Sequence, residues 1–392
     1  MFVGKGGAGK TTLAAATALR AAMRGRRTLL VALDQTRSLG DVLGRGTDEF
    51  PVGELVELPF GGDTGAGEES VSGRLAALDI DTLALLEERY ASVAPMLTSA
   101  VGGGPVWTAL APGELTGVPG VQEVLGLAQI AEHAASGEFD AIVVDCPATA
   151  DALRTLSAPK TFADYLERVW PRHDRAVALS GNDPRQLLLV SVVERVASAV
   201  ASVEALLADP GRTSTRIVTT GERVALAHTR RLLTVASLAG LRVDLVVLNR
   251  VRGTGQAVGD LADLAGSVEV RTVGASDHEP IGWAGLARIG DELYDDVDPV
   301  ALQSEPVPAF RVAHESGSGL DSVYTLRMPL PLADASTLTL GRVDDDLVVG
   351  AEGVRRRLTL PSVLRRCTVS AAELDTDALV VRFRPNPEVW PA

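Results

Sequence analysis

Residues 4 to 11 read Gly-Lys-Gly-Gly-Ala-Gly-Lys-Thr, a spacing that obliges the chain to turn tightly between a strand and a helix. Gly6, Gly7 and Gly9 let backbone N–H groups point inward without Cβ clashes, which makes a cradle for oxyanions. In such a loop Lys10 reaches the β- and γ-phosphates, Thr11 places its hydroxyl on Mg²⁺, and the helix starting there aims its N-terminus at the phosphates. The nucleotide-binding set is therefore expected to be Gly6, Gly7, Ala8, Gly9, Lys10, Thr11 and Thr12. The setting agrees: Lys10 to Met23 is rich in Ala and Leu and reads as a helix, and the apolar run Arg27 to Leu33 reads as the following strand of a βαβ unit. Only Met1 to Val3 precede the loop, short for the strand that feeds it, which reads as a start a few residues inside the natural one.

A chain of 392 residues leaves room for two or three domains. Its net charge of −14 argues against nucleic acid or anionic membrane as the main partner, because both are held by Lys and Arg. No run approaches the ~20 apolar residues of a membrane span, and the amino terminus lacks a basic-then-apolar leader pattern. With two cysteines, Cys146 and Cys367, this points to a cytoplasmic protein without stable membrane insertion.

Phe139 to Asp145 is an apolar run without helical period that ends in a carboxylate, the mark of a buried parallel strand. Further strand-like runs are Thr215 to Thr219, Val243 to Leu248 and Val268 to Val273, with a helical stretch at Arg223 to Ala239. Strand and helix alternate as in a doubly wound, mostly parallel sheet. Residues 60 to 72 and 101 to 120, rich in Gly, Ser, Pro and acids, read as mobile loops. Around them lie helical patterns, including one stripe from Leu189 through Val192, Val193, Val196, Val200 and Val203 to Leu207, the usual look of a core-facing helix. The expected division is an α/β domain over 1–300 with a helical insertion at about 60–136 and 155–210, a Pro- and Ser/Gly-containing linker at 301–319, and a small β-sandwich at 320–392. The sandwich rests on short alternating runs from Tyr324 to Phe383 separated by Gly, Asp and Pro.

Taken together, GKGGAGKTT, the strand followed by Asp34 to Asp41, the strand and turn at Asp145 to Arg154, Thr219 to Arg223, and the strand end Asn249-Arg250 resemble the ArsA/GET group of P-loop NTPases. That group holds arsenite-pump ATPases and ATPases that target tail-anchored membrane proteins. The C-terminal strands are similar to the α-crystallin fold of small heat-shock proteins. The resemblance implies ATP hydrolysis with Mg²⁺ in a homodimer. It implies that Lys5 crosses the dimer interface to the opposite subunit's phosphates, that Asp34 orients or deprotonates the attacking water, and that Asp145 holds the Mg²⁺ hydration shell, with Thr11 and Asp34 also near the metal. Asn249 would read the adenine edge, and Pro280 would lie in the loop covering the base.

Departures from the family pattern fall in the switches: Gln35 and Arg37 replace a proline and a histidine, and Ala150 and Asp151 replace a glycine and a histidine. Two separated cysteines cannot assemble the three thiols of an arsenite site or a shared C-x-x-C zinc. Two functions are left. One is a nucleotide-gated chaperone or targeting factor for apolar, tail-anchored-like segments; the other is a regulatory switch that binds a folded partner in its ATP state. An anion-transport subunit ranks below both.

Overall fold

A computed structural model describes residues 1–33, 36–46, 48–60, 73–101, 111–114, 120–253, 256–301 and 308–390. The expected first-switch residues Asp34 and Gln35, residues 61–72, 102–110 and 115–119 of the loops, and residues 302–307 of the linker lie outside that set. Contacts group the chain into two units, neither continuous: Met1–Thr213 with Ser276–Ala301, and Ser214–Ala275 with Leu302–Ala392.

In chain order the first unit opens with β1 (Phe2–Gly4), α1 (Lys10–Met23), β2 (Arg27–Ala32), α2 (Ser38–Leu43), β3 (Leu55–Glu57) and β4 (Arg74–Asp79). It continues with α3 (Thr82–Val101), α4 (Val121–Ser136), β5 (Ala141–Asp145), α5 (Thr149–Val169), α6 (Arg172–Leu179) and α7 (Pro184–Ala208). The second unit begins with β6 (Thr215–Thr219), α8 (Arg223–Ala239), β7 (Val243–Val251), α9 (Gln256–Ala265) and β8 (Glu269–Gly274). The chain then returns to the first unit for α10 (Gly282–Tyr294). Last come β9 (Arg311–Ser316), β10 (Val323–Pro329), β11 (Thr339–Val343), β12 (Asp346–Ala351), β13 (Val354–Thr359), α11 (Ser362–Arg365), β14 (Cys367–Asp375) and β15 (Ala378–Pro385).

Within the first unit β2 lies between β4 and β5, parallel to both, and β1 joins β5 in parallel at Phe2 opposite Asp145. Five of the six β2 residues are buried, as a strand covered on both faces requires. The register pairs Ala32 with Asp79 on one side and with Asp145 on the other, so two carboxylates end neighbouring strands at the edge where the Gly-rich loop leaves β1. Helix α1 can lie close to its neighbours because Ala14, Ala15, Ala16, Ala18, Ala21 and Ala22 are buried. Strand β4 falls inside the stretch read as a helical insertion. Its Arg-Leu-Ala-Ala-Leu-Asp is too short for periodicity to separate a strand from a buried helical segment, and its pairing with β2 decides the matter.

The second unit holds β6, β7 and β8 in parallel register, together with the sandwich. One sandwich sheet has the order β14-β15-β10-β9 and the other β11-β12-β13. Strand β9 corrects the linker at 301–319: the flanking Pro and Ser/Gly residues masked a six-residue strand that pairs antiparallel with β10. The sandwich core of Leu326, Met328, Leu347, Val349, Val381 and Phe383 also contains Leu238 of α8. Hydrogen bonds fasten the same helix: Thr234 Oγ1 donates to the Pro331 carbonyl at 2.7 Å, Ser237 Oγ to that of Pro329 at 2.8 Å, and Arg356 Nη1 reaches the Leu238 carbonyl at 2.8 Å. Gly240 closes α8 at φ 75°, the left-handed conformation that favours glycine, and a Cβ there would displace the Arg356 guanidinium, whose Nη1 is 2.5 Å away.

Candidate functional site

The loop after β1 curls through Gly7 (φ 77°) and Gly9 (φ 96°), left-handed conformations that residues with a Cβ adopt rarely. Ala8 N–H donates to the Lys5 carbonyl at 3.2 Å, and Leu13 N–H to that of Gly9 at 3.0 Å, so the turn passes directly into α1. No heavy atom lies within 4 Å of where a Cβ would stand on Gly6 or Gly7, which leaves space in front of the loop. Lys10 is buried while Lys5 is exposed, a difference between the two lysines that the motif alone does not reveal. Thr12 is half-buried on the first turn of α1.

Folding brings Thr11 to a residue 134 positions away: its Oγ1 donates to Asp145 Oδ2 at 2.6 Å. Asp145 is 1% exposed at the end of β5. A hydroxyl and a buried carboxylate side by side, beside a phosphate-type loop, form the hard oxygen set that Mg²⁺ takes. Ser38, which opens α2, adds a hydroxyl 3.4 Å from Thr11, and Thr36 donates to Ser38 at 3.1 Å. Sequence reading assigned Ser38 no role; its placement as the first residue of a helix after the switch strand was the available signal.

Asn249 lies in the second unit, 8% exposed near the end of β7. Its Oδ1 accepts from the Arg250 N–H at 2.9 Å, and Arg250 is left-handed with φ 59°. Pro280 belongs to the first unit, two residues before α10, and a Cβ on Gly285 would come within 2.9 Å of its backbone. The second unit carries a cavity of about 300 Å³ at the ends of β6 and β7, lined in part by Thr220, Glu222, Leu248, Arg250 and Arg252.

Both cysteines are buried. Desolvation pushes the Cys146 thiol up to about 12, with the neighbouring Asp145 charge adding to it, and a thiol held protonated is a poor nucleophile and a poor metal ligand. Cys367 donates its S–H to the Val363 carbonyl at 3.3 Å inside the sandwich.

The helices α5 to α7 display apolar residues outward. Phe162, Tyr165 and Val169 recur along one side of α5, with Tyr165 66% and Val169 82% exposed. Val177 of α6 and Leu188 and Val196 of α7 are exposed as well. The stripe on α7 divides: Val200 and Val203 are buried, while Leu189, Val192, Val193 and Leu207 are half-covered. By length and composition, Gln186–Ala208 could cross a membrane, with mean hydropathy 1.6 and only 17% of its most apolar window buried. This corrects the reading that no run approaches a span, because Glu194, Arg195 and the scattered serines interrupt the apolar run without lowering its mean enough. Arg175 fixes α6 here: its Nε donates to Glu194 at 2.5 Å, and its Nη1 reaches the Trp170 carbonyl.

The family model described as anion-transporting ATPase matches residues 1–257, and that of an HSP20-like domain found in ArsA matches residues 321–383. Protein Rv2184c of Mycobacterium tuberculosis is 43% identical, over 100% of this chain and 97% of its own length. ATPase GET3 of Mycosarcoma maydis is 25% identical over 64% of this chain and 72% of its own. The arsenical pump-driving ATPase of Escherichia coli is 26% identical over 73% of this chain and 44% of its own.

Proposed function

The chain belongs to the ArsA family of anion-transporting ATPases with an HSP20-like domain, and from that premise we propose that it is a homodimeric, nucleotide-gated binder of apolar protein segments. The family makes it a nucleotide-binding protein that hydrolyses ATP. The observation that carries the binding role is the apolar face of α5 to α7, with Val169, Val177 and Tyr165 each about two-thirds exposed or more. Exposed apolar residues gathered on neighbouring helices mark an interaction surface rather than a core. In sequence order the ATPase module is taken as 1–300 and the sandwich module as 308–392, which takes in β9.

At the phosphate end, backbone N–H groups of Gly6 to Thr12 bind the β- and γ-oxygens, and the Lys10 ammonium sets their position. Thr11 and Asp145 would hold Mg²⁺, whose contribution when bound is to neutralise charge on the phosphates. Lys5, exposed at the loop, reaches the phosphates of the second subunit and stabilises charge that moves toward the leaving oxygen. Asp34 orients the attacking water, Asn249 reads the adenine edge, and Pro280 covers the base. Closure of the dimer on ATP then joins the α5 to α7 faces of two copies into one apolar groove, and hydrolysis releases the segment held there.

Two isolated, buried thiols support a protein without a metalloid or zinc thiolate site, which separates this function from arsenite-driven transport. The regulatory-switch reading needs no apolar face, so the exposure of α5 to α7 favours the first. The test is pull-down of a synthetic apolar helix, of the tail-anchor type, with the protein loaded with AMP-PNP or ADP. Capture by the AMP-PNP state and release in ADP is expected; equal and negligible capture in both states would refute the client role.

A further inference from the structure

Helix α2 has six residues and lies between two left-handed positions, Arg37 at φ 55° and Gly44 at φ 68°. Its first residue belongs to a directed chain of hydroxyls. Thr36 donates to Ser38, and Thr11 gives its proton to Asp145, so the contact between Ser38 and Thr11 has Ser38 as donor and Thr11 Oγ1 as acceptor. The other end of α2 meets the start of α10. A Cβ on Gly44 would stand 3.3 Å from Ile281 Cγ2, and the Arg45 guanidinium lies over the Trp283 ring with Cζ 5.9 Å from its centroid.

Helix α10 is in turn tied to α1. The hydroxyls of Thr17 and Tyr294 are 2.6 Å apart and buried, and Arg20 pairs with Asp291 at 2.5 Å. A Cβ on Gly290 would come within 3.2 Å of the Ala16 carbonyl, so the two helices touch through backbone. Helices α1 and α10 thus form a fixed pair, and α2 spans them, touching α1 through Ser38 and α10 through Gly44 and Arg45. A short rigid element between two backbone hinges, seated on a fixed frame, has the form of a two-position switch.

We infer that α2 carries the occupancy of the Thr11–Asp145 cluster to the first turn of α10, with Ser38 as the sensing hydroxyl and Arg45 and Trp283 as positioning residues. The inference rests on reading Thr11 and Asp145 as the cation and phosphate site. A cation at the Thr11 oxygen crowds the Ser38 hydroxyl 3.4 Å away, and the inferred response is a turn of α2 about Arg37 and Gly44. Because α10 is held to α1 over its later half, that turn changes the stacking of Arg45 on Trp283 and so sets the Ile281–Trp283 segment.

The test uses the full-length protein labelled with 5-fluorotryptophan, in which Trp283→Phe identifies one of four ¹⁹F resonances. The Trp283 resonance is recorded for the free protein, with Mg²⁺ and ADP, and with Mg²⁺ and AMP-PNP. It should differ in all three states, and Arg45→Ala should merge the two nucleotide states while Arg45→Lys restores part of the separation. Arg45→Ala should also lower the affinity ratio of AMP-PNP to ADP by roughly two- to fivefold, the range of a partly exposed cation–π contact. Ser38→Ala should narrow the separation without abolishing binding. Nucleotide binding with a Trp283 resonance that never moves would overturn the coupling alone. Loss of any Mg²⁺-dependent binding would overturn the phosphate-site reading and the coupling with it.

Discussion

Helices α7 and α8 are both long and rich in Leu, Val and Ala, yet they end in opposite environments. In α8, Leu232, Leu233, Val235, Ala236 and Leu238 are buried, and the C-terminal turn is sealed by the sandwich core and three hydrogen bonds to it. In α7, the more apolar of the two, only 17% of the richest window is buried. Apolar content therefore does not decide burial; the presence of a covering element does. A long apolar helix left largely open on one face is what the proposed binding of apolar segments requires.

The largest expected effect asks whether nucleotide governs the covering of α7. Lys10→Ala removes the buried charge proposed to bind the phosphates and should abolish Mg²⁺-ATP binding, leaving hydrogen exchange of α7 the same with and without ATP. Lys5→Ala should keep binding within several fold, lower hydrolysis by ~10³-fold, and hold α7 in its ATP-state protection, as expected of a cation acting across an interface. Equal loss of binding in both variants, read by nucleotide titration, would break the trans role of Lys5.

Removing residues 308–392, β9 included, should turn α8 into a second α7. Without the sandwich, Leu238 and the end of α8 face water, so the truncated chain should bind an apolar dye more strongly and precipitate at lower temperature. A truncated form as soluble and as cold to the dye as the full chain would show that the seam contributes little.

A subtler version leaves the domain in place. Leu238→Ala should destabilise by about 2–4 kcal/mol, the range for a buried leucine whose cavity does not fully collapse. Val196→Ala on the open face of α7 should stay within about 0.5 kcal/mol. Denaturant midpoints at constant m-value measure both, and equal losses would erase the contrast. Smallest in stability but not in function, Leu188→Asp with Val196→Asp should leave the melting temperature nearly unchanged and weaken capture of the apolar helix by about tenfold, as the loss of one or two hot-spot side chains would. Unchanged capture would move the binding face elsewhere.

Much of this was legible in the residues alone. The bounds of α1, β6 and α8 follow from periodicity, and the glycine-rich turn after β1 from the spacing of its glycines. These are local rules, in which each residue's role depends on neighbours within a turn or two. The sequence also marked Asp145 as a strand-ending carboxylate and the last ~70 residues as short strands, because alternation and turn residues are equally local.

What only the tertiary structure decided was pairing over distance. The hydroxyl of Thr11 meets Asp145 across 134 residues, β4 joins the sheet from inside a stretch that read as helical, and β9 pairs with β10 although its neighbours look like a linker. The fates of α7 and α8 belong with these. Burial is a property of two surfaces brought together, and a one-dimensional pattern specifies only one of them.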